Sequence, residues 1–225
     1  MIKSLYDTFQ RWSYDGSVYI ISDLHFADND CKLMDPGWPD PDKQVDLINS
    51  VAHKADTLIC LGDVGDVSYV AKLKAGYKVL ITGNHDAGAS KYQKVEDCFD
   101  VSRLPDKEIA KLKDKGYRIV KSPYLDCAYR TNNLFDEVFT GPLFISDKIL
   151  LSHEPIGLPF ALNIHGHDHN NMEEYKDDCR YLNVAANVIG YKPISLDQVI
   201  RSGILKGVPT LHRMTIDRAS NKKPE

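Results

Sequence analysis

Apolar positions along the chain follow two periods, and the changes of period divide it into elements. Val18-Tyr19-Ile20-Ile21-Ser22 is a β-branched and aromatic run that predicts a strand, and alternation beyond it puts Asp23 and His25 on one side of the extended chain. Val45, Ile48, Val51, Ala52 and Ala55 recur at helical spacing and predict a helix over 42–55 with Asp42 as its cap. That helix leads into Leu58-Ile59-Cys60-Leu61, an apolar strand that stops at Gly62 and presents Asp63. A crossover over 67–75 ends at Gly76 and feeds the strand Tyr77 to Thr82, after which come Gly83-Asn84-His85-Asp86. Lys148 to Ser152 runs into His153, and Ala161 to Ile164 runs into His165-Gly166-His167-Asp168-His169. In open α/β sheets ligands collect beyond the carboxyl ends of strands, so the repeated order of strand, turn residue and polar side chain points these groups toward one place.

The remaining stretches are less regular. Residues 1–17 hold Tyr6, Phe9, Trp12 and Tyr14 without a firm period and read as cover for a sheet edge. The stretch 28–41, with Pro36, Gly37, Trp38, Pro39 and Pro41, predicts an irregular loop whose aspartates are solvated turn formers and whose tryptophan rims the site. Residues 88–133 interrupt the alternation of strands and helices. They contain a helix over 105–115 that stops at Gly116, with acids in its first turn and lysines in its last. Ten Lys or Arg stand against seven Asp or Glu here, which reads as an insertion with a solvated charged face or as a lid that meets anionic substrate. A strand pair over 135–145 around Gly141-Pro142, a strand over 180–185, a helix capped by Ser195 with Gln198 in its capping box, and a last strand over 209–216 follow. Asp66 is expected to support the ligands from behind, Asp168 to face solvent, His53 to lie on the helix surface and His212 to be structural. One domain over 1–216 with a flexible tail over 217–225 accounts for the whole pattern.

Composition narrows the partners. A net charge of -4 and a pI near 6.1 give no basic field for duplex nucleic acid. The 5 cysteines are scattered, without a Cys-x-x-Cys pair, which fits a reducing cytoplasm. No stretch approaches the ~20 apolar residues of a membrane span.

In order, the blocks Asp23-Leu24-His25, Gly62-Asp63-Val64-Gly65-Asp66, Gly83-Asn84-His85-Asp86, His153 and Gly166-His167-Asp168-His169 resemble the motifs of the calcineurin-like metallophosphoesterases. The resemblance runs from about Val18 to His169. It implies an α/β fold of two mixed β-sheets in a sandwich flanked by helices, with the partly helical insertion at 88–133 lying outside it. It also implies two divalent ions (Mn, Fe, Ni or Zn), one held by Asp23, His25 and His169, the other by Asn84, His153 and His167, with Asp63 between them. The implied reaction is attack of a metal-bridging hydroxide on a phosphate ester of a small molecule or nucleotide. His85 would be the acid for the leaving group, and Asp86 would orient its ring. Val67 and Asp86 stand where the protein phosphatase branch has arginine and glutamate, which favours a diester. A non-catalytic scaffold, a phosphomonoesterase and a nuclease of the same fold are the alternatives.

Overall fold

The structure, a computed structural model, describes residues 1–86, 92–121, 126–170 and 178–209. Its strands in chain order are β1 (Val18–Ile21), β2 (Thr57–Cys60), β3 (Tyr77–Ile81), β4 (Gln93–Asp100), β5 (Arg118–Lys121), β6 (Asp126–Asn133), β7 (Glu137–Phe139), β8 (Leu143–Ser146), β9 (Ile149–Leu151), β10 (Leu162–His165), β11 (Tyr181–Asn183) and β12 (Ile194–Ser195). The α-helices are α1 (Asn29–Met34), α2 (Pro41–Asn49), α3 (Asp106–Asp114) and α4 (Leu196–Arg201). Among the described residues no helix is long and apolar enough to cross a membrane.

Two mixed sheets form the core. The first has the order β12-β1-β2-β3-β7, and the second β11-β10-β9-β8. Within the first, β1, β2, β3 and β7 run parallel, with Ile21 opposite Cys60 and Cys60 opposite Leu80, while β12 is antiparallel. Parallel strands are covered on both faces, which is why these runs are apolar almost throughout. Alternation divides them: Ile20, Ile59, Leu61, Val79 and Ile81 meet Ile149, Leu151, Leu162 and Ile164 of the second sheet. Their neighbours Ile21, Leu58, Cys60 and Leu80 pack on Val45, Ile48 and Ala52 at and beyond α2. Phe9 and Trp12, carried by the 3-10 helix Asp7–Ser13, are buried in the inter-sheet core, whereas Tyr6 and Tyr14 are exposed.

Several expectations are corrected. The stretch 28–41 is not wholly irregular: Asp28 caps α1 by accepting from the Asp30 amide at 3.0 Å, and the prolines fall after that helix. Pro41 is the first residue of α2, because its missing N–H costs nothing there, so the cap is Asp40 instead of Asp42 and the helix ends at Asn49. The crossover after β2 is a 3-10 helix, Val67–Lys72, and Asp66 caps it through the Ser68 amide at 2.9 Å. Strands β7 and β8 are not a pair: β7 joins β3 in one sheet and β8 joins β9 in the other, so Gly141-Pro142 is where the chain changes sheets. The insertion is mostly sheet, an antiparallel β4-β6-β5 unit with α3 beside it. The strand expected over 209–216, His212 and the tail lie almost wholly outside the described residues.

Candidate metal centre

The loops beyond β1 and β2 hold each other through their main chains. Asp23, His25 and Phe26 donate their amides to the carbonyls of Gly62, Asp63 and Val64 at 2.9–3.0 Å. This pairing requires backbone shapes that L-residues seldom adopt. Asp23, His25, Asp63 and His167 all lie in the left-handed region, with φ of 56°, 40°, 52° and 67°. Each such residue costs of order 1–3 kcal/mol and persists where the surroundings over-determine it, as at binding sites. The glycines of the motifs are needed for space as well. A Cβ on Gly166 would fall 2.1 Å from Asp23 Oδ2, and one on Gly83 would fall 2.3 Å from Asp63 Oδ1.

These loops bring all seven expected ligands to one edge of the sheets. Asp23, His25 and His169 form one group whose donor atoms lie within 4.8 Å of one another, and Asp63, His153 and His167 form another. Asn84 joins the second group, its Oδ1 lying 2.7 Å from His153 Nε2 and 3.2 Å from His167 Nδ1. Asp63 Oδ2 sits between the groups, 3.6 Å from His25 Nε2 and 3.3 Å from His153 Nε2. Asp23, His25, Asp63 and His153 make a buried floor, while Asn84, His85 and His167 are exposed above it.

Three of the four histidines have their outer nitrogen occupied. His25 Nδ1 meets Asp28 Oδ2 at 3.1 Å, His153 Nδ1 meets the Leu61 carbonyl at 2.8 Å, and His169 Nδ1 meets Asn187 Oδ1 at 3.2 Å. Such partners fix the ring and leave Nε2 as the donor toward a metal. Asp23 Oδ1 and His25 Nε2 are buried with no hydrogen-bond partner among the described residues. Orphaned buried atoms are costly, and a divalent cation satisfies both at once. Carboxylate, imidazole and amide oxygen together suit first-row divalent ions, so the residues present fit the group.

Electrostatics within the floor agree with that fit. Burial alone would raise the Asp63 carboxyl, yet the hydrogen bond and charge of His153, the His85 amide and His25 hold it below the usual carboxylate range. Burial lowers His153, but Asp63 and Asp23 outweigh it and raise the ring. His165 differs: it is buried at the end of β10, its Nδ1 lies 2.9 Å from the Gly166 carbonyl, and burial pushes its pKa down.

Asp86 does not orient the His85 ring. Its Oδ2 accepts from the amides of Asp63 and Gly83 at 2.8 Å, and its Oδ1 accepts from the Val64 amide at 3.2 Å and from the Tyr92 hydroxyl. It therefore pins the Asp63 loop to the Gly83 loop and to the start of the insertion. His85 donates its own amide to Asp63 Oδ1 at 2.9 Å, and its exposed ring lies 5.6 Å from that of His25. Trp38 does rim the centre, its ring 6.1 Å from His25 and 5.6 Å from His169. Sequence reasoning missed Asp28 and Asn187 as ring partners and Tyr92 as a partner of Asp86. Asp28 stands three residues after His25, which was the available signal for it; the other two have none.

Fold and site together define a calcineurin-like phosphoesterase: residues 16–189 match that family, and the chain belongs to it. An uncharacterized protein of Methanocaldococcus jannaschii, MJ1445, is 26% identical over 200 residues, covering 82% of this chain and 89% of its own. A solved protein of unknown function from Aquifex aeolicus, AQ665, shares the fold with a TM-score of 0.51 and 24% identity, over 83% of this chain and 98% of that one.

Proposed function

We propose that the chain is a dinuclear metal-dependent phosphodiesterase. The observation that carries this reading is the position of Asp63 Oδ2, within 3.6 Å of a histidine from each ligand group, since only a shared carboxylate serves two ions. Asp23, His25 and His169 would hold one ion, Asn84, His153 and His167 the other, and Asp63 both. Such a pair supplies, when bound, Lewis-acid polarisation of a phosphoryl oxygen and a water acidified toward neutral pH. The chain does the rest. Asp28, Asn187 and the Leu61 carbonyl keep three ligand rings turned inward, and the Asp86 carboxylate keeps Asp63 in place. His85, exposed beside the groups and anchored by its own amide, is placed to give a ring proton to the departing alkoxide oxygen.

Two separate clefts support a diester. One, of about 520 Å³, is lined by His167, His169 and Trp38, and the other, of about 260 Å³, by Asn84 and His153. Each can take one substituent of a phosphorus held between the groups. The five cysteines are free, which supports a place in a reducing compartment such as the cytoplasm.

The test is hydrolysis of bis-p-nitrophenyl phosphate and p-nitrophenyl phosphate by chelated protein, before and after addition of Mn²⁺, Ni²⁺, Fe²⁺ or Zn²⁺. Activity is expected only after addition, with the diester preferred, and Asp63→Asn is expected to bind fewer than two ions. Full turnover in excess chelator overturns the metal assignment, and preference for the monoester overturns the diester assignment.

A further inference from the structure

We infer that the cleft on the His169 side selects a diester whose alcohol substituent is positively charged, an alkylammonium ester. This rests on the phosphodiesterase reading and names the substituent. The cleft presents the carboxylates of Asp35 and Asp168 beside the apolar surfaces of Met34, Trp38 and Pro155, and its described lining contains no lysine or arginine. The smaller cleft, past Asn84, contributes Glu154 and again no lysine or arginine among the described residues. Sites for phosphate dianions or anionic substituents supply guanidinium or ammonium groups against the extra charge. Here a second negative charge would face carboxylates on both sides of the metal centre.

The carboxylates are held in place before any ligand arrives. Asp35 Oδ1 accepts from the Gly37 amide at 2.8 Å, and Asp168 Oδ1 accepts from the Asn170 amide at 3.2 Å. The negative field of Asp35 reaches under the cleft: the buried Tyr191 hydroxyl, raised first by burial, is raised further by Asp35. Trp38 stands edge-on to the Tyr191 ring at 5.5 Å, which fixes the indole as a wall. An ammonium group carries methylene or methyl surface around a single charge, and this lining of carboxylate, thioether, indole and proline ring matches both parts. The volume of about 520 Å³ leaves room for a substituent of choline size or larger.

The experiment compares p-nitrophenyl phosphocholine with its uncharged isostere, the 3,3-dimethylbutyl p-nitrophenyl diester, with bis-p-nitrophenyl phosphate alongside. The metal-loaded protein is expected to favour the ammonium ester by about tenfold in kcat/KM, the scale of one or two partly exposed charge contacts. In Asp35→Asn the ratio should fall toward one. Equal or reversed rates on the charged and uncharged esters, while bis-p-nitrophenyl phosphate is hydrolysed, overturn the inference and leave the phosphodiesterase reading standing. A second readout needs no turnover: choline added to chelated protein should shift the Trp38 indole N–H resonance, and the shift should be lost in Asp35→Asn. If no diester is hydrolysed, the functional reading fails and this titration still decides the cleft, because an unmoved Trp38 resonance rejects it.

Discussion

At the scale of single residues, His85 offers the sharpest separation of binding from chemistry. Its ring is exposed and its amide anchors on Asp63 Oδ1 at 2.9 Å, so His85→Asn keeps the anchor and removes the proton donor. Two bound metals and an unchanged melting temperature are expected, with alkyl diester hydrolysis slowed by about 10²–10⁴-fold. A nitrophenyl ester, whose leaving group needs little help, should lose less. Metal analysis and rates on the two esters check this, and loss of an ion would make His85 a ligand. Gly166→Ala tests the opposite kind of residue. Its Cβ would meet Ser22 Oγ at 2.0 Å and Asp23 Oδ2 at 2.1 Å, so the variant should lose metal at the Asp23 group and melt lower, read by metal content and a thermal scan. The expected ligands were legible in the sequence because donor-type side chains follow apolar strands in five ordered blocks. Of the ring partners, Asp28 was signalled only by its three-residue spacing from His25, and Asn187, an asparagine beyond β11, acquires its role only when the loops fold over each other.

At the scale of elements, the parallel strands were readable because burial on both faces makes them continuously apolar, and the insertion was not. Strand β4 reads Gln-Lys-Val-Glu-Asp-Cys-Phe-Asp, with too few apolar residues to declare a period. In this part of the chain Val101, Ile109, Cys127 and Ala128 are buried. The separation of β7 from β8 was hidden for another reason, since a Gly-Pro between two apolar runs predicts a turn equally well when the chain crosses between sheets. The insertion is tied to the metal centre by Tyr92, buried against Phe135 and donating to Asp86. Tyr92→Phe keeps the ring and removes a bond to a charged acceptor, a loss of about 2 kcal/mol. A fall in melting temperature of several degrees is expected, together with weaker metal affinity, since Asp86 also holds the Asp63 amide at 2.8 Å. Calorimetric unfolding and metal titration measure the two, and an unchanged affinity would show that Asp86 keeps its place without the tyrosine.

At the scale of the whole molecule, the metal centre belongs to both sheets. Its expected ligands follow β1, β2 and β3 of one sheet and β9 and β10 of the other, and a bridge between Ser22 and Ala185 ties the sheets beside them. Ions bound there would link the two layers and, binding the native state alone, would stabilise it by about 2.7 kcal/mol at a hundredfold excess over Kd. For a chain of this size that is a rise in Tm of about 5–10 °C. Thermal scans with chelator and with added Mn²⁺ should show the rise, and Asp63→Asn should blunt it. A Tm indifferent to metal would remove the ions from the account of stability.

The loops that carry Asp23, His25 and Asp63 are joined by amide-to-carbonyl bonds at 2.9–3.0 Å, so their shape is written in peptide groups common to every amino acid. The cradle and the donor side chains still overlap at two points, because Asp63 Oδ1 accepts the His85 amide at 2.9 Å and Asp23 Oδ2 accepts the His167 amide at 2.8 Å. An exchange that keeps those two carboxylates would re-letter the chemistry without redrawing the scaffold, and on the proposed function a preference among divalent ions would then be set by the imidazole and amide donors.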